Sequence, residues 1–346
     1  MTQPPARKRP DSGGAGTRNI VVVGAGGQLG TALRGRVDAG VESVGGDGCD
    51  VRFLTRADLD IADRGAVEAD DRLRDADVVI NAAAWTDVDG AETPDGEAAA
   101  HAINADGAAN LARACAATGA FLVHVSTDYV FGDQTGDQSG DGLGRDAPAG
   151  RRALAPDAPT APDTAYGRTK LAGERAVLGE VEANGLRAAI VRTAWVYSGP
   201  TQPDVGDFVS TMLRLEERGR TGEGPAAIDV VDDQHGNPTF VDDLATAIGQ
   251  LAARPVPGIF HVTGSGAATW HELATEVFVA VAKQRDGDAA DLDAARARVR
   301  PCTSEQFPRP AKRPAWSVLD GGTWAQAGFA PLPDWRDGLR RALAQK

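Results

Sequence analysis

Short apolar runs alternate with longer amphipathic segments along the first half of the chain. The runs have the length and β-branched content of buried parallel strands, and they lie at 20–23, 51–54, 78–80, 121–125 and 188–192. Helical spacing follows the first run, with Leu29, Leu33 and Val37, and recurs over 98–118 and 166–178. This alternation predicts an α/β fold built on a doubly wound parallel sheet of the Rossmann type.

The pattern changes in the second half of the chain. A stretch at 132–164, rich in Gly, Asp, Pro and Ala, has no apolar periodicity and is longer than an ordinary connection. Beyond it the sequence predicts helices at 208–218, 242–253, 271–282 and 290–299, and a strand at 258–262. We expect three regions, listed in chain order: a disordered tail, 1–18; a dinucleotide-binding domain, 19–194 plus 239–263; and a smaller C-terminal substrate-binding lobe, 195–238 and 264–346.

Composition narrows the partners and the compartment. The net charge of −13 argues against binding to nucleic acid or to an anionic membrane, although it leaves room for a small anionic ligand. No apolar run approaches the roughly 20 residues of a membrane helix, and residues 1–18 lack the apolar stretch of a signal peptide. The three cysteines lie far apart, without disulfide or zinc spacing. We therefore expect a cytoplasmic protein.

A glycine turn follows the first predicted strand. In VVVGAGGQLG (21–30), Gly24, Gly27 and Gly30 form G-x-x-G-x-x-G between a strand and a helix. A dinucleotide site needs such glycines for a tight turn, for a close approach to the pyrophosphate and for close helix packing. A purely structural turn is the alternative in a chain with 42 glycines. The position of the turn favours dinucleotide binding.

The end of the second strand bears on the choice of nicotinamide. A carboxylate there would bind the ribose 2′-hydroxyl, whereas an arginine can face a 2′-phosphate. Thr55 and Arg56 occupy this place, which favours NADPH without excluding NADH. A solvated loop arginine is the alternative interpretation of Arg56.

A phenol and an ammonium lie four residues apart in AYGRTKLAGE (165–174). On a helix this spacing places Tyr166 and Lys170 on one face, and such a pair is rare by chance among three tyrosines and five lysines. We expect the ammonium and an oxidised nicotinamide to bring the phenol pKa down from about 10. Tyr166 could then pass a proton to a carbonyl oxygen as hydride reaches the carbon.

A third catalytic candidate, a hydroxyl group, lies at the end of the strand 121–125. Ligands of doubly wound sheets bind at the carboxyl ends of the strands, where a hydroxyl can hydrogen-bond a substrate oxygen. In VSTDYVFG (125–132) Thr127 is the candidate and Ser126 its rival. His124, one residue inside the strand, is interpreted as a core histidine.

Together these motifs resemble the extended short-chain dehydrogenase/reductase superfamily and, within it, the dTDP-4-dehydrorhamnose reductase family. The early blocks are shared with sugar-nucleotide epimerases and dehydratases; besides those quoted above they are LTRADLDIAD (54–63), VINAAAWTDVDGAE (79–92) and INADGAANLA (103–112). The later, more specific blocks are IVRTAWVY (190–197), FVSTML (208–213), DDQHGNPTFVDDLA (232–245), TWHELA (269–274) and RPAKRPAWSVLD (309–320). The resemblance covers residues 19–346.

The resemblance implies NAD(P)H-dependent reduction of dTDP-4-dehydro-β-L-rhamnose to dTDP-β-L-rhamnose, the last step of dTDP-rhamnose biosynthesis. The catalytic residues it implies are Thr127, Tyr166 and Lys170. With Arg56, Tyr166 and Lys170, the implied cofactor-binding residues are Gly24, Gly27, Gln28, Leu29, Gly30, Asp60, Ile61, Ala83, Ala84, Thr86 and Asn104. With Thr127, the implied substrate-binding residues are Val88, Trp195, Gln234 and Pro238. A core tryptophan is the alternative for Trp195, and His235 is interpreted as a loop histidine.

The chain departs from the family pattern at several places. Gly90 stands where lysine is common, Trp85 replaces His or Tyr, Trp316 replaces Asn or Gly, and the segment 132–164 is long. The carboxylates that hold magnesium at a dimer contact in some members have no match here, so no metal is expected. A reductase of another 4-keto-deoxy-sugar nucleotide, an NADP-binding regulatory subunit and an epimerase remain alternatives. Whether the chain forms a homodimer stays open.

Overall fold

The computed structural model describes residues 17–40, 44–46, 48–133, 151–202 and 206–345. Residues 1–16 of the predicted tail and residues 134–150 of the predicted loop lie outside them. The chain divides into two compact units. The first comprises Met1–Val130, Thr164–Arg192 and Ala245–Phe260, and the second Phe131–Asp163, Thr193–Leu244 and His261–Lys346.

A parallel six-stranded sheet forms the centre of the first unit. Its strands are β1 (Arg18–Val23), β2 (Cys49–Leu54), β3 (Val78–Asn81), β4 (Phe121–Thr127), β5 (Ala188–Thr193) and, last in the chain, β10 (Gly258–His261). The strand order is β10-β5-β4-β3-β1-β2. In the register of β1, Val23 lies opposite Leu54 of β2 and Asn81 of β3. The carboxyl ends of these strands therefore meet at one edge, where ligands of such sheets bind.

Helices flank this sheet and bury its apolar side chains. They are α1 (Gln28–Asp38), α2 (Arg64–Ala69), α3 (Asp71–Arg74), α4 (Pro94–His101), α5 (Ala108–Thr118) and α6 (Ala165–Asn184). A core cluster joins Val21 and Val79 of the sheet to Leu111 and Val177 of the helices. The predicted Rossmann-type sheet is therefore confirmed. The predicted helix 98–118 is α4, a π-helical turn (Ala102–Gly107) and α5 in succession.

The predicted tail is too long at its end. Arg18, assigned to the tail, is the first residue of β1 and pairs with Cys49 of β2. Its guanidinium donates hydrogen bonds to the carbonyls of Ala252 and Ala253. The strand therefore begins before its apolar run, because backbone pairing with β2 and the hydrogen bonds of this side chain hold a polar residue at its amino end.

The second unit contains several short strand pairs and helices. Its elements are β6 (Val196–Tyr197), α7 (Phe208–Thr221), β7 (Ile228–Val231), β8 (His235–Gly236), β9 (Thr239–Phe240), β11 (Ala268–Thr269), α9 (Trp270–Gln284), α10 (Ala289–Ala297), β12 (Val299–Cys302), α11 (Gly322–Gln326) and α12 (Trp335–Ala344); α8 (Val241–Ala253) begins in it. The strands pair as β6 with β9, β7 with β12 and β8 with β11. The segment 151–163 belongs to this unit. The assignment of cofactor and substrate to separate lobes stays a prediction.

One helix of this unit ends earlier than predicted. The sequence predicts a helix over 290–299, but α10 ends at Ala297 and Val299 begins the strand β12. That strand pairs in parallel with β7, and the amide of Ile228 donates to the carbonyl of Arg298. The pairing joins segments about seventy positions apart, so local helical periodicity could not indicate it.

Among the described residues, none of the helices has both the length and the apolar content that a membrane span requires.

Candidate active site

The glycine turn is packed so tightly that its glycines are required. Gly24 has a φ of +83°, and a Cβ at this position would lie 2.4 Å from the amide nitrogen of Ala83. A Cβ on Gly30 would lie 2.5 Å from the Cα of Ala25. The turn is also tied to the neighbouring strand, because the amides of Gly24 and Ala25 both donate to the carbonyl of Leu54. Ala83, a predicted cofactor residue, therefore lies directly against the turn.

The N-terminus of α1 fits an anionic group. Gly27 is its N-cap and provides no side-chain hydrogen bond, and the first turn, which includes Gln28 and Leu29, has no acidic residue. The positive end of the helix dipole therefore lies at the turn without a carboxylate to neutralise it. A Cβ on Gly27 would only touch the carbonyl oxygen of Gly24, at 3.4 Å, so this glycine is less crowded than Gly24 and Gly30. A pyrophosphate fits this donor set.

Two arginines lie near the end of β2. Arg56 forms an exposed ion pair with Asp60 at 3.5 Å, so these two predicted cofactor residues contact each other. Asp58 accepts from the hydroxyl and the amide of Thr55, and these hydrogen bonds lower the pKa of the Asp58 carboxyl. Arg34 of α1 stacks over the ring of Phe53 at 4.6 Å. Sequence reasoning missed Arg34, although its place ten residues after Gly24 was visible.

The predicted adenine residue Ile61 lies in the core rather than on an open surface. Its side chain is 4% exposed, and a Cβ on Gly107 would lie 2.6 Å from its Cδ1. The amide nitrogen of the Asn110 side chain donates to its carbonyl. Only the surroundings of Ile61, not its buried side chain, are available to a ligand.

Helix α6 brings the predicted phenol and ammonium to the end of β4. The helix begins after Thr164, whose hydroxyl accepts from the amide of Gly167. Tyr166 and Lys170 are both buried, and the side chain of Thr127, whose hydroxyl donates to Asp128, lies close enough to the phenol to lower its pKa. The ammonium of Lys170 donates to the carbonyl of Val125 at 2.7 Å. The structure thus brings the three predicted catalytic side chains together.

Burial controls the titration of this cluster. It raises the pKa of Tyr166 to about 12, with a further rise from the charge of Asp128 and an opposing effect of the Thr127 hydrogen bond. Burial lowers the pKa of Lys170 to about 8, against the opposing charge of Glu174. The expected lowering of the phenol pKa by Lys170 and an oxidised nicotinamide stays a prediction, since burial is the largest influence on this pKa in the structure. A neutral phenol is nevertheless the form that can give a proton to a carbonyl oxygen.

The rival hydroxyl of Ser126 faces a different group. It donates to the carboxylate of Glu174 at 2.5 Å. Thr127, one residue later, is the hydroxyl beside the phenol, so the structure favours Thr127 over Ser126. His124 is buried, and its Nδ1 lies 3.1 Å from the side-chain nitrogen of Asn81.

Asn104 connects the helices around the phenol. It lies in the π-helical turn, accepts from the amide of Trp85 and donates to the hydroxyl of Thr169 at 3.0 Å. Its side chain is 1% exposed. Asn104 therefore holds the residues after β3 against α6, and its amide reaches the neighbourhood of Tyr166 through Thr169, whose hydroxyl donates to the carbonyl of Tyr166.

The segment after β3 supplies further predicted residues. Val88 packs against an apolar cluster that includes Tyr166, so a predicted substrate residue lies in the neighbourhood of the predicted proton donor. Ala84 is half-buried and Thr86 is exposed at the same edge of the sheet. Trp85, which departs from the family pattern, donates its indole N–H to the carbonyl of Asp87.

In the second unit, Trp195 is not an ordinary core residue. It is half-buried, has a φ of +46°, and stacks on Trp270 with ring centroids 3.6 Å apart and planes 8° from parallel. A Cβ on Gly236 would lie 2.4 Å from the indole, so a glycine is needed beneath the ring. Sequence reasoning missed Trp270, whose place next to Thr269 in TWHELA was the available signal.

The other predicted substrate residues of this unit are buried. Gln234 donates its side-chain amide to the hydroxyl of Ser304, and Pro238 is buried beside Gly264. His235 is half-buried, and its ring lies 5.4 Å from that of Trp316. Trp316 also lines a cavity of about 770 Å³ within this unit.

No group of three or more His, Cys, Asp or Glu side chains that could hold a metal ion occurs within the described ranges.

The comparisons with known proteins assign the chain to a family. Residues 18–346 match the family model described as RmlD substrate binding domain. The chain belongs to this family. A dTDP-4-dehydrorhamnose reductase of Mycobacterium tuberculosis is 44% identical over 95% of this chain and 93% of its own. The expected family and the expected class, an oxidoreductase of the extended short-chain dehydrogenase/reductase superfamily, are confirmed.

Two further relatives bear on cofactor and substrate. The crystal structure of a dTDP-4-dehydrorhamnose reductase from Bacillus anthracis in complex with NADP matches with a TM-score of 0.76 at 30% identity, covering 95% of this chain and all of that one. A Streptomyces antibioticus protein, described as a probable dTDP-4,6-dihydroxy-2-methyloxan-3-one 4-ketoreductase, is 41% identical over 93% of this chain and 94% of its own.

Proposed function

We propose that this protein reduces the C4 keto group of dTDP-4-dehydro-β-L-rhamnose to give dTDP-β-L-rhamnose, the last step of dTDP-rhamnose biosynthesis. The observation that carries the proposal is the buried cluster of Thr127, Tyr166 and Lys170 at the carboxyl end of β4. The curated relative of this activity, which is 44% identical over nearly the whole chain, supports the choice of substrate.

The chain's own residues account for the proton in this reaction. The nicotinamide supplies the hydride to the keto carbon when it is bound. Tyr166, neutral because burial raises its pKa, gives its phenolic proton to the keto oxygen. The Thr127 side chain, which lowers the pKa of the phenol, and the Lys170 ammonium, four residues along the same helix face, stabilise the phenolate that remains. A proton from solvent then restores the phenol.

The first unit contains the residues that we propose bind the cofactor. The glycine turn and the N-terminus of α1, with Gly24, Gly27, Gln28, Leu29 and Gly30, would bind the pyrophosphate. Ala83, Ala84, Thr86 and Asn104 would line the nicotinamide end, and Asp60 and the surroundings of Ile61 the adenine. Arg56, joined by Arg34, favours NADPH because guanidinium groups bind a 2′-phosphate. NADH remains the alternative.

The residues that we propose for binding the sugar nucleotide are Val88, Thr127, Trp195, Gln234 and Pro238. Trp195 is held by stacking on Trp270 and by the close approach of Gly236, and the half of its indole that stays exposed is the part available to a ligand. We further propose that the protein acts in the cytoplasm, with no nucleic acid or membrane partner, and that a homodimer is the assembly to test.

A second candidate is the reduction of another 4-keto-deoxy-sugar nucleotide. The 41% identical Streptomyces relative, whose name describes a different keto substrate, favours this alternative. The departures at Trp85 and Trp316 lie in motif blocks that the resemblance identifies, which also leaves room for a different sugar.

The deciding experiment follows the absorbance of NADPH, and then of NADH, on addition of freshly generated dTDP-4-dehydro-β-L-rhamnose. Rapid oxidation with dTDP-rhamnose as product is the expected result. Cofactor binding without oxidation would contradict the proposal, and a panel of other 4-keto-sugar nucleotides would then separate the second candidate from a non-catalytic regulatory subunit.

A further inference from the structure

Three ionisable side chains share one face of α6. Tyr166, Lys170 and Glu174 follow each other at four-residue spacing, which places successive Cβ atoms about 5–6 Å apart. Glu174 is 1% exposed and Lys170 2%. A carboxylate is rarely buried to this degree unless other groups pair with it. Glu174 plays no part in the proton transfer proposed above, so its burial needs another explanation.

Glu174 is bound by two strands of the sheet. Its Oε1 accepts from the hydroxyl of Ser126 on β4 at 2.5 Å and from Nε of Arg192 on β5 at 2.9 Å. Its Oε2 accepts from Nη2 of Arg192 at 2.7 Å. Ser126 and Arg192 are each 3% exposed. The bidentate arginine fixes the carboxylate in place.

Three consecutive residues of β4 each lie against a different turn of α6. The carbonyl of Val125 accepts from Lys170, the hydroxyl of Ser126 donates to Glu174, and the side chain of Thr127 lies close enough to Tyr166 to lower its pKa. The end of the strand therefore aligns the whole face of the helix. Loss of the Ser126–Glu174 contact would leave the face of the helix held only at Lys170 and Tyr166.

We propose that Glu174, held by Arg192 and Ser126, is a positioning residue that fixes α6 against β4 and keeps the Lys170 ammonium charged and in place. This inference rests on the proposed function for the role of Lys170 in the reaction. Glu174 acts through Lys170 and does not touch the reacting atoms.

The charges around Lys170 support this role. Burial lowers its pKa to about 8, and the carboxylate of Glu174 opposes that fall. His124 on β4 stays neutral, because burial and the Lys170 charge hold its pKa well below the usual value. The other ionisable groups on the elements around this face are neutral or bound to other partners. Tyr166 is neutral, and Asp128 lies beside it. Arg192 binds Glu174, Glu92 accepts from the amide of Ala165, and Glu97 pairs with Arg168.

The test reads the charge of Lys170 directly. The chain has only five lysines, so protein labelled with carbon-13 at lysine Cε gives few signals, and Lys170→Arg identifies the one that matters. Its titration midpoint in the wild-type protein is expected near pH 8. In Glu174→Gln the midpoint is expected to fall by about one pH unit, because an opposite charge on the same face is lost. An unchanged midpoint overturns the proposal.

Two further variants separate charge from folding. Glu174→Gln leaves the Arg192 guanidinium buried without its carboxylate, which can destabilise the fold. The double variant Glu174→Gln with Arg192→Gln removes both charges. Its Lys170 midpoint is also expected below that of the wild type. A wild-type midpoint in the double variant counts against the proposal. The matched control is Glu216→Gln, which breaks the Glu216–Arg298 pair of the second unit and is expected to leave the Lys170 signal unchanged.

Turnover provides the second readout. In Glu174→Gln the alkaline limit of kcat/KM for NADPH oxidation is expected to move to lower pH, in step with the Lys170 midpoint. A uniform loss of kcat/KM at every pH would indicate a purely structural role and refute the proposal. Absence of turnover in the wild-type protein would contradict the proposed function, and the lysine titration would still decide the role of Glu174.

Discussion

Tyr166 shows how one buried position sets the chemistry of a residue. The tyrosine and lysine spacing is visible in the sequence, yet the direction of the phenol pKa is not, because it depends on burial that the fold creates. In the structure burial raises that pKa to about 12, so the phenol is a proton donor over the whole neutral range. Thr127, one residue from the rejected Ser126, is selected only by its position beside the phenol.

Replacement of Tyr166 by Phe tests this proton donor. We expect turnover to fall by about 10²–10⁴-fold, because the keto oxygen loses its proton source. Cofactor binding, followed by NADPH fluorescence, is expected to persist, since the ring and its packing remain. Turnover at the wild-type rate in Tyr166→Phe would contradict the mechanism.

The buried ammonium of Lys170, which the proposed reaction uses, is expected to lower the stability of the folded protein. Its pKa is about 8 in the folded protein and 10.5 as an ordinary value, so the unfolded chain binds more protons between these limits and stability rises with pH across that window. Below pH 8 the folded protein bears the full cost of the buried charge. We expect Lys170→Met to raise the free energy of unfolding at pH 7 by on the order of 1 kcal/mol, as measured by urea unfolding.

The pH dependence supplies the control for this prediction. The gain in Lys170→Met is expected to shrink as the pH rises from 8 to 10.5, because Lys170 of the folded wild-type protein loses its proton in this range and the buried charge disappears. Equal urea midpoints for the two proteins at pH 7 would show that burial of the charge costs nothing.

At the scale of elements, periodicity succeeds for the central strands and fails where pairing is distant. The helix with Tyr166 is predicted over 166–178 and extends over Ala165–Asn184, because Thr164 caps its start and Gly185 adopts a left-handed conformation at its end. The predicted helix 290–299 runs into the strand Val299–Cys302, which the sequence did not indicate because its partner lies far away in the chain. The segment 151–159, without periodicity, is likewise placed by distant residues: Leu154 bridges Leu319.

Trp316 predicts how that segment is held. Its buried indole donates to the carbonyl of Arg152 at 2.8 Å, and Arg151 and Arg152 are both exposed. We expect Trp316→Phe to increase trypsin cleavage after these two arginines several-fold, because the hydrogen bond that holds this backbone is lost. Mass spectrometry of the digest locates the cuts.

Trp324→Phe is the matched control, since the indole of Trp324 donates instead to the carbonyl of Ala330. It is expected to leave cleavage after Arg151 and Arg152 at the wild-type rate. Equal rates in both variants would mean that the Trp316 hydrogen bond does not hold the segment.

At the scale of the whole molecule, acidic side chains dominate the charge. The net charge of −13 is distributed over carboxylates whose partners are often arginines. Hydrogen bonds from Thr55 lower the pKa of Asp58, and those from Arg341 lower the pKa of Asp337. For Asp70, burial acts upward but the Arg72 hydrogen bond and charge outweigh it, so its pKa also falls.

These carboxylates predict the response to acid. Because their folded pKa values lie below the ordinary 3.8, their contribution to stability is complete above about pH 4 and is lost as the pH falls through the folded values. We expect the urea midpoint to change little between pH 7 and pH 5 and to fall steeply below pH 4. A steep fall already above pH 5 would show that other groups control acid unfolding.

The sequence alone determined the features that depend on neighbours along the chain. Local periodicity and turn chemistry predicted the buried strands, the glycine turn and the helix that carries Tyr166 and Lys170, because each follows from residues within a few positions. Its motif blocks also identified the family. Only the tertiary structure decided the choice of Thr127 over Ser126, the burial that controls both pKa values, and the bond of Glu174 to Ser126 and Arg192. Those outcomes depend on contacts between residues far apart in sequence, which local periodicity does not encode.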